Sequence, residues 1–353
     1  MVFVLAIVLI ALALSIWIVI PGPTPFLFGL SVATTELWPV IALLDLIALV
    51  LTLHFVRGRM RFAAIAACVV AIICSLVPLD AYLVRGPHVP LSAFITDARD
   101  PSVSVTTHRL PGMLVFAPQI PAKGPVIVAI YGGAWERGST HTDRALNEIL
   151  ASWGYVVFAI DYRHAPQARW PTQRNDVLAG IAAARAAAPS FGGDPARVVL
   201  IGHSSGAQLA MIAGSEERLH LRAIVTYESP VDLILGYEFP SQPDIIHIRS
   251  ILAGLCGGTP AEKPACYRSA SPRYVVHKGM PPVFMIAAGR DHVVDVRFEH
   301  LLRDELRKDG VAVTYLELPW ADHAFEAAYF GFHNRIAMWY LRPFLARATA
   351  QTL

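Results

Sequence analysis

Residues Gly202–Gly206 read GHSSG and set Ser204 between two glycines. A serine hydroxyl is a weak nucleophile. It needs a base to take its proton, and the base needs an acid to orient it. The run RVVLIG before this motif reads as a strand, and QLAMIAG after it reads as a helix. Glycines at these two places permit a sharp strand-to-helix turn that lifts the serine clear of the sheet. Downstream, Asp291 in GRDHVVD follows the strand-like PVFMIAAG, and His323 in WADHAF follows the strand-like VAVTYLEL. Serine, acid, histidine is one known chain order of a nucleophile triad. Asp295 competes with Asp291 but stands where the next helix should begin. His292 and Asp322 are read as neighbours of the triad, and His203 as packing beside the nucleophile.

Acyl chemistry at a serine also needs donors aimed at the oxygen that becomes negative. YGGAW, Tyr131–Trp135, follows the strand-like PVIVAIY. Its position makes Gly133 and Ala134 the expected backbone donors, with Ser205 as a further one. Ala134 suits that role if its φ is negative. The helix that follows Ser204 directs its amino-terminal dipole at the same place.

Positioning these residues requires a particular scaffold. VSVTTHRL and GMLVFAP, joined at Pro111–Gly112, read as a hairpin. PVIVAIY, YVVFAID, RVVLIG, RAIVTYE, PVFMIAAG and VAVTYLEL are short runs rich in β-branched residues. Such uninterrupted apolar runs fit strands covered on both faces. Helical patterns lie between most of them, at Asp143–Trp153, Thr172–Ala187, Ser205–Ala213 and Val296–Lys308. The alternation predicts a mostly parallel sheet flanked by helices. Residues just past the strand ends share one edge of such a sheet, so Ser204, Asp291 and His323 can converge.

The rest of the chain has a different character. The sequence is 55% hydrophobic and 16% charged, against about 25% charged in a typical soluble domain. The deficit is confined to residues 1–84, whose only acidic or basic residues (histidine aside) are Glu36, Asp45, Arg57, Arg59, Arg61 and Asp80. Apolar stretches at 2–20, 38–56 and about 62–83 are long enough to cross a bilayer. They predict a membrane anchor over 1–84, a connector over 85–101 and a catalytic domain over 102–353. Pro21–Glu36 is read as a loop, and Arg57–Arg61 (RGRMR) as a tight cationic one. Three arginines in one short loop and none in the other hold the former inside. The amino terminus is then inside and the catalytic domain outside the cytoplasm. Asp45 is expected to make an interhelical hydrogen bond or to be a protonated acid, with a transport or lipid-handling role as the alternative. The net charge of +2 and the lack of a long basic run give no footprint for nucleic acid.

YGGAW, DYRHAP (Asp161–Pro166), GHSSG, GRDHVVD and DHAF, in this order and spacing, resemble the hormone-sensitive-lipase-like carboxylesterases. They are also similar to related bacterial acyl esterases and kynurenine formamidases. FGGDPARVVLIGHSSGAQLA and ASPRYV (Ala270–Val275) carry the likeness further, over roughly residues 100–345. The resemblance implies an α/β-hydrolase fold and a triad of Ser204, Asp291 and His323. It also implies support of the oxyanion loop by Asp161 and Arg163. Tyr131 stands where the family's oxyanion loop has histidine, and Ala134 stands where it has a third glycine. Sequence between RAIVTYE and Pro281 forms a cap-like insertion, about 230–280, with Trp135, Tyr237 and Phe239 as candidate pocket walls.

The expected activity is hydrolysis of a small or lipid-like carboxylic ester through an acyl-enzyme, without metal or organic cofactor. Two alternatives stay open. One is an envelope acyltransferase or deacylase acting on lipid or glycan with the same triad, and the other is a non-catalytic tethered binding protein. The short loops and the resemblance point to a bacterial inner membrane. Cys68 and Cys74 belong to an apolar span. Cys256 and Cys266 flank GGTPAEKPA and can pair only in an oxidising compartment, so disulfide and free thiols both stay open.

Overall fold

The computed structural model describes residues 1–95, 98–120 and 123–350. The chain begins with α1 (Val2–Val19), α2 (Pro25–Glu36), α3 (Trp38–Phe55) and α4 (Arg59–Arg85). The apolar helices α1, α3 and α4 pack together through Val8, Ala11, Ala48 and Cys68. Each is long and apolar enough to cross a membrane. Asp45 of α3 accepts a hydrogen bond from Ser15 of α1 at 2.9 Å, so the one acid near the middle of a span is partnered within the bundle.

Two expectations for this part are corrected, and the connector gains detail. The Pro21–Glu36 stretch is mostly helix: Pro25 occupies the first turn of α2, where a missing N–H costs nothing, and Thr24 caps Leu27 N at 3.3 Å. The cationic loop is shorter than RGRMR, because α4 begins at Arg59 and the chain reverses at Gly58 (φ +68°). The stretch read as a connector, 85–101, holds one short helix, α5 (Ser92–Ile95), and Phe94 stacks on Phe332 at 4.8 Å; residues 96–97 of this stretch lie outside the described residues.

The described residues then build one eight-stranded sheet from β1 (Val105–Leu110), β2 (Met113–Pro118), β3 (Gly124–Ile130), β4 (Val156–Ile160), β5 (Gly193–His203), β6 (Ala223–Tyr227), β7 (Val283–Ala288) and β8 (Val313–Leu318). The order is β1-β2-β4-β3-β5-β6-β7-β8. β1 and β2 form the antiparallel hairpin, β2 also pairs β4 antiparallel, and the pairings from β4–β3 to β7–β8 are parallel. The helices are α6 (Arg144–Ser152), α7 (Thr172–Ala187), α8 (Ser205–Gly214), α9 (Leu233–Glu238), α10 (Ile248–Cys256), α11 (Pro264–Ser269), α12 (Val296–Lys308) and α13 (Phe332–Ala348).

Alternation along the strands explains their unbroken apolar character. Val126, Val128 and Ile130 of β3 enter one core with residues of α7, α8, α10 and α12, whereas Ile127 and Ala129 enter a second core with α6 and α13. Successive side chains of a strand point to opposite faces, so a doubly covered strand has no polar face to show. The helices α9 to α11 lie in the stretch between β6 and β7 and cover the edge where the parallel strands end.

Candidate active site

Ser204 is the single residue between β5 and α8. Its backbone is strained, at φ +51° and ψ −121°, and Ser204 N is held by Tyr227 O at 2.8 Å. The flanking glycines are required sterically. A Cβ on Gly202 would lie 2.3 Å from Gly206 O, and one on Gly206 would lie 2.1 Å from Ile130 O. The turn therefore sits directly on β3 and leaves Ser204 above the sheet edge.

Ser204, His323 and Asp291 come together there. The Ser204 hydroxyl donates to His323 Nε2 at 2.9 Å, and His323 Nδ1–H donates to Asp291 Oδ2 at 2.8 Å. The Asp291 carboxylate is wholly enclosed, and Oδ1 accepts from Val293 N at 2.7 Å and Val294 N at 2.6 Å. Burial pushes the Asp291 carboxyl up, with His323 working against it. Burial acts to lower His323, but the charge and hydrogen bond of Asp291 outweigh it and raise the imidazole above its ordinary value. Asp295 is placed elsewhere: it caps α12 by accepting from Arg297 N at 2.9 Å and pairs with the Arg297 guanidinium.

The neighbours form a second layer. Asp322 accepts from His323 N at 2.8 Å, from His292 N at 3.0 Å and from His292 Nδ1 at 2.6 Å. His203 stacks on Tyr227 at 4.6 Å and pairs with Glu326 at 3.0 Å. Glu228, just past β6, is fully buried, and burial together with the charge of Glu326 pushes its carboxyl well up.

Ala134 and Ser205 line the cavity beside Ser204, while Gly133 turns back on Arg137, whose carbonyl a Cβ there would meet at 2.1 Å. The condition set for Ala134, a negative φ, is not met. Ala134 has φ +54° and Trp135 has φ +60°, a conformation that costs an L-residue about 1–3 kcal/mol. The surroundings hold it. Glu136 N and Arg137 N bond Gly133 O, Ala165 N bonds Trp135 O at 2.9 Å, and Trp135 Nε1 donates to Gln208 at 2.9 Å. Tyr131 anchors the other end, donating to Asp161 at 2.5 Å and lying 3.0 Å from His164 Nε2. Arg163 pairs with Asp176 rather than with this loop.

The cavity holds about 570 Å³ of space including its mouth. Its walls are mainly apolar, among them Trp135, Leu233, Ile246, Leu252, Val294 and Phe298, with Phe239 at the rim, 62% exposed. Tyr237 is not a wall. It faces Tyr267 edge-on at 6.0 Å and carries Arg249 over its ring, because α9 turns that side toward the cap's own core. Cys256 and Cys266 are joined as a disulfide that ties α10 to α11.

The BD-FAE family model matches residues 114–306, more than half of the chain. The chain belongs to the BD-FAE family. Among its relatives, "Esterase LipC" of Mycobacterium tuberculosis is 33% identical over 57% of this chain and 53% of that protein. "Probable carboxylic ester hydrolase LipM" of the same organism is 30% identical over 57% and 49%. The chain thus spans about half the length of the curated relatives it matches. Among solved structures, a thermostable esterase from Pseudomonas putida aligns with a TM-score of 0.61 at 19% identity, over 78% of this chain and 92% of that one. Esterase B from Lactobacillus rhamnosis aligns at 0.59 and 20%, over 72% and 90%. The fold of this BD-FAE member is the α/β-hydrolase fold.

Sequence reasoning passed over several residues around the site. Glu326 follows His323 closely and could have been flagged as an acid in an otherwise apolar turn. Arg290 and Trp320 stand in the quoted motifs GRDHVVD and WADHAF but had no assigned partner. Glu36 and His333, paired at 2.5 Å, lie at opposite ends of the chain and carry no local signal at all.

Proposed function

We propose that this chain is a membrane-anchored serine hydrolase that cleaves carboxylic esters through an acyl-enzyme. The observation that carries this reading is the relay from Ser204 through His323 to Asp291, opening on an apolar cavity. Ser204 Oγ attacks the ester carbonyl while His323 Nε2 takes its proton. Asp291 fixes the imidazole tautomer and stabilises the imidazolium. Backbone N–H groups of Gly133, Ala134 and Ser205 receive the oxyanion, each contributing on the order of 10²–10³ in rate. His323 then hands its proton to the leaving alcohol. Water, activated by the same imidazole, releases the acid. The apolar walls suit the acyl part of a small or lipid-like ester, and the names of the curated relatives support ester hydrolysis.

The test is direct. The full-length protein should react with a serine-directed fluorophosphonate and hydrolyse simple esters. Ser204→Ala should block labelling and cut turnover by about 10⁴-fold or more, with the fold unchanged. Equal turnover by both proteins would end the assignment. A series of short- to long-chain esters would define the acyl range. Product formed on an added alcohol in place of water would mark an acyltransferase instead.

The anchor reading rests on the three apolar helices and on where the catalytic domain meets them. Its contacts include Ile18 and Val19 of α1, Glu36 of α2, Trp38 at the start of α3 and Tyr82 of α4. Those ends lie away from Arg57, Arg59 and Arg61, which stand between α3 and α4. With the arginines cytoplasmic, the domain faces the extracytoplasmic side of a bacterial inner membrane, where the Cys256–Cys266 bridge can persist. A carboxy-terminal tag should be cleaved by protease in intact spheroplasts, and Cys256 should resist thiol labelling until reduced. A tag cleaved only after lysis would reverse the orientation.

A further inference from the structure

A helix leaves its last carbonyls without intrahelical partners, and each needs a donor from elsewhere. At the end of α1 the donors are identifiable. Ile16 O accepts from Ile20 N at 2.9 Å, and Trp17 O accepts from Ser31 at 2.8 Å. Ile18 O accepts from Arg290 at 2.6 Å and from Trp320 Nε1 at 3.1 Å, and Val19 O accepts from Arg290. Since α1 has no basic residue in its last turn, the cation that complements its negative dipole end comes from the catalytic domain. The Arg290 guanidinium also lies over the Trp320 ring, 4.6 Å from its centre. Arg290 therefore serves carbonyls and an aromatic face, and among the described residues no carboxylate forms an ion pair with it.

These two residues stand at telling places. Arg290 precedes Asp291, and Trp320 opens the turn that carries His323. Both turns hang from β7 and β8, and β8 is an edge strand of the sheet. The turns are already tied to each other, Arg290 N to Ala321 O at 3.0 Å and His292 to Asp322 at 2.6 Å. What holds their outer side is the end of a membrane helix. Of the groups in this contact, Arg290 lies inside the stretch matched to the family, and α1 and Trp320 lie outside it.

We propose that the end of α1 is part of the active-site scaffold: Arg290 and Trp320 are positioning residues that use the first membrane span to set Asp291 and His323 against Ser204. This inference rests on the reading of those three residues as catalytic. Misplacing a reacting group by about 1 Å can cost on the order of 10²-fold in rate, and loosening this clamp moves both partners of the nucleophile together. The effect falls on kcat, because neither residue lines the cavity.

The experiment uses the full-length protein in phospholipid nanodiscs, with active sites counted by fluorophosphonate titration so that misfolded protein drops out. Trp320→Phe keeps the ring beneath Arg290 and removes only the indole donor. Arg290→Gln removes the charge and most donors, whereas Arg290→Lys keeps the charge with a single compact head. The expected result is a fall in kcat per titrated site of about ten- to a hundred-fold for Arg290→Gln. Arg290→Lys should recover part of it, Trp320→Phe should fall a few-fold, and KM should stay within about two-fold throughout. Glu36→Gln, which loosens the other attachment of the same bundle, should leave kcat per site unchanged. Wild-type kcat per site in Arg290→Gln and Trp320→Phe would overturn the proposal, as would an equal loss in Glu36→Gln. If Arg290→Gln gives no titratable protein, Trp320→Phe alone decides. A wild type that neither labels nor turns over would instead remove the esterase reading beneath it.

Discussion

Two histidine–carboxylate pairs, whose histidines stand ten residues apart, are built almost alike and differ in what faces them. His323 Nδ1 meets Asp291 at 2.8 Å, and His333 Nδ1 meets Glu36 at 2.5 Å, each pair enclosed by protein. The difference lies on the other nitrogen. His323 Nε2 accepts the hydroxyl of Ser204 at the floor of a cavity. His333 Nε2 has no hydrogen-bond partner among the described residues, and its ring is boxed by Tyr82, Phe325 and Phe332. On the proposed mechanism the first pair organises a reacting group, whereas the second fastens α13 to α2. A buried carboxylate beside an imidazole is thus no mark of catalysis until something reactive faces the far nitrogen.

Breaking the carboxylate in each pair should separate the two. Asp291→Asn should lower kcat by about 10⁴-fold, as loss of the tautomer-setting acid does in a serine triad, with a thermal midpoint close to wild type. Asp295→Asn should stay within a few-fold, because Asp295 caps α12 and does not touch His323. Steady-state kinetics on titrated enzyme read both, and the opposite ranking would move the acid to Asp295.

Glu36→Ala should do the reverse. It strips the acceptor from His333 N and His333 Nδ1, and leaving a buried donor unpaired costs about 1–3 kcal/mol for each group. The thermal midpoint in detergent should drop by several degrees while kcat per titrated site holds. Glu36→Gln, which keeps an acceptor oxygen, should recover part of the loss. A fall in kcat without a fall in stability would place this pair in the catalytic machinery after all.

The contrast also explains what the sequence could tell. Ser204, Asp291 and His323 were legible as candidates because each follows a short strand-like run rich in β-branched or apolar residues, and strand ends share an edge. GHSSG added a turn whose glycines have steric reasons. The Glu36–His333 pair and the Arg290–Trp320 clamp were not legible. They join residues about 300 positions apart, and a buried polar contact at that separation leaves no periodic pattern. The helical nature of Pro25–Glu36 was missed for another reason: prolines at 21, 23 and 25 read as chain-breaking, although the last opens a helix. The positive φ at Ala134 comes with a long-range hydrogen bond from Trp135 to Gln208, which no local rule encodes. The helix α13 was also overlooked. Its length runs past Pro343, a residue that ordinarily argues for an end.

The smallest effect sharpens the comparison further, because it reads the field around His323 rather than its contacts. A general base must be neutral to take the serine proton. Burial works to lower the His323 imidazole, but Asp291 by charge and hydrogen bond, then Glu326 and Asp322 by charge, raise it. Activity is therefore lost as pH falls through a value above about 6.5, the ordinary histidine value, and is full above it. Asp291→Asn removes the strongest of these influences and should bring the acid limb of kcat/KM down in whatever activity survives. Glu326→Gln removes a more distant charge, one that is itself bonded to His203. Its limb should move down by less, and the plateau kcat should stay within a few-fold. The measurement is the pH profile of kcat/KM for the wild type and both variants, on one ester, in nanodiscs. A wild-type limb at or below about 6.5 would mean that burial wins over Asp291. A larger shift for Glu326→Gln than for Asp291→Asn would make Glu326 the dominant partner of the catalytic imidazole.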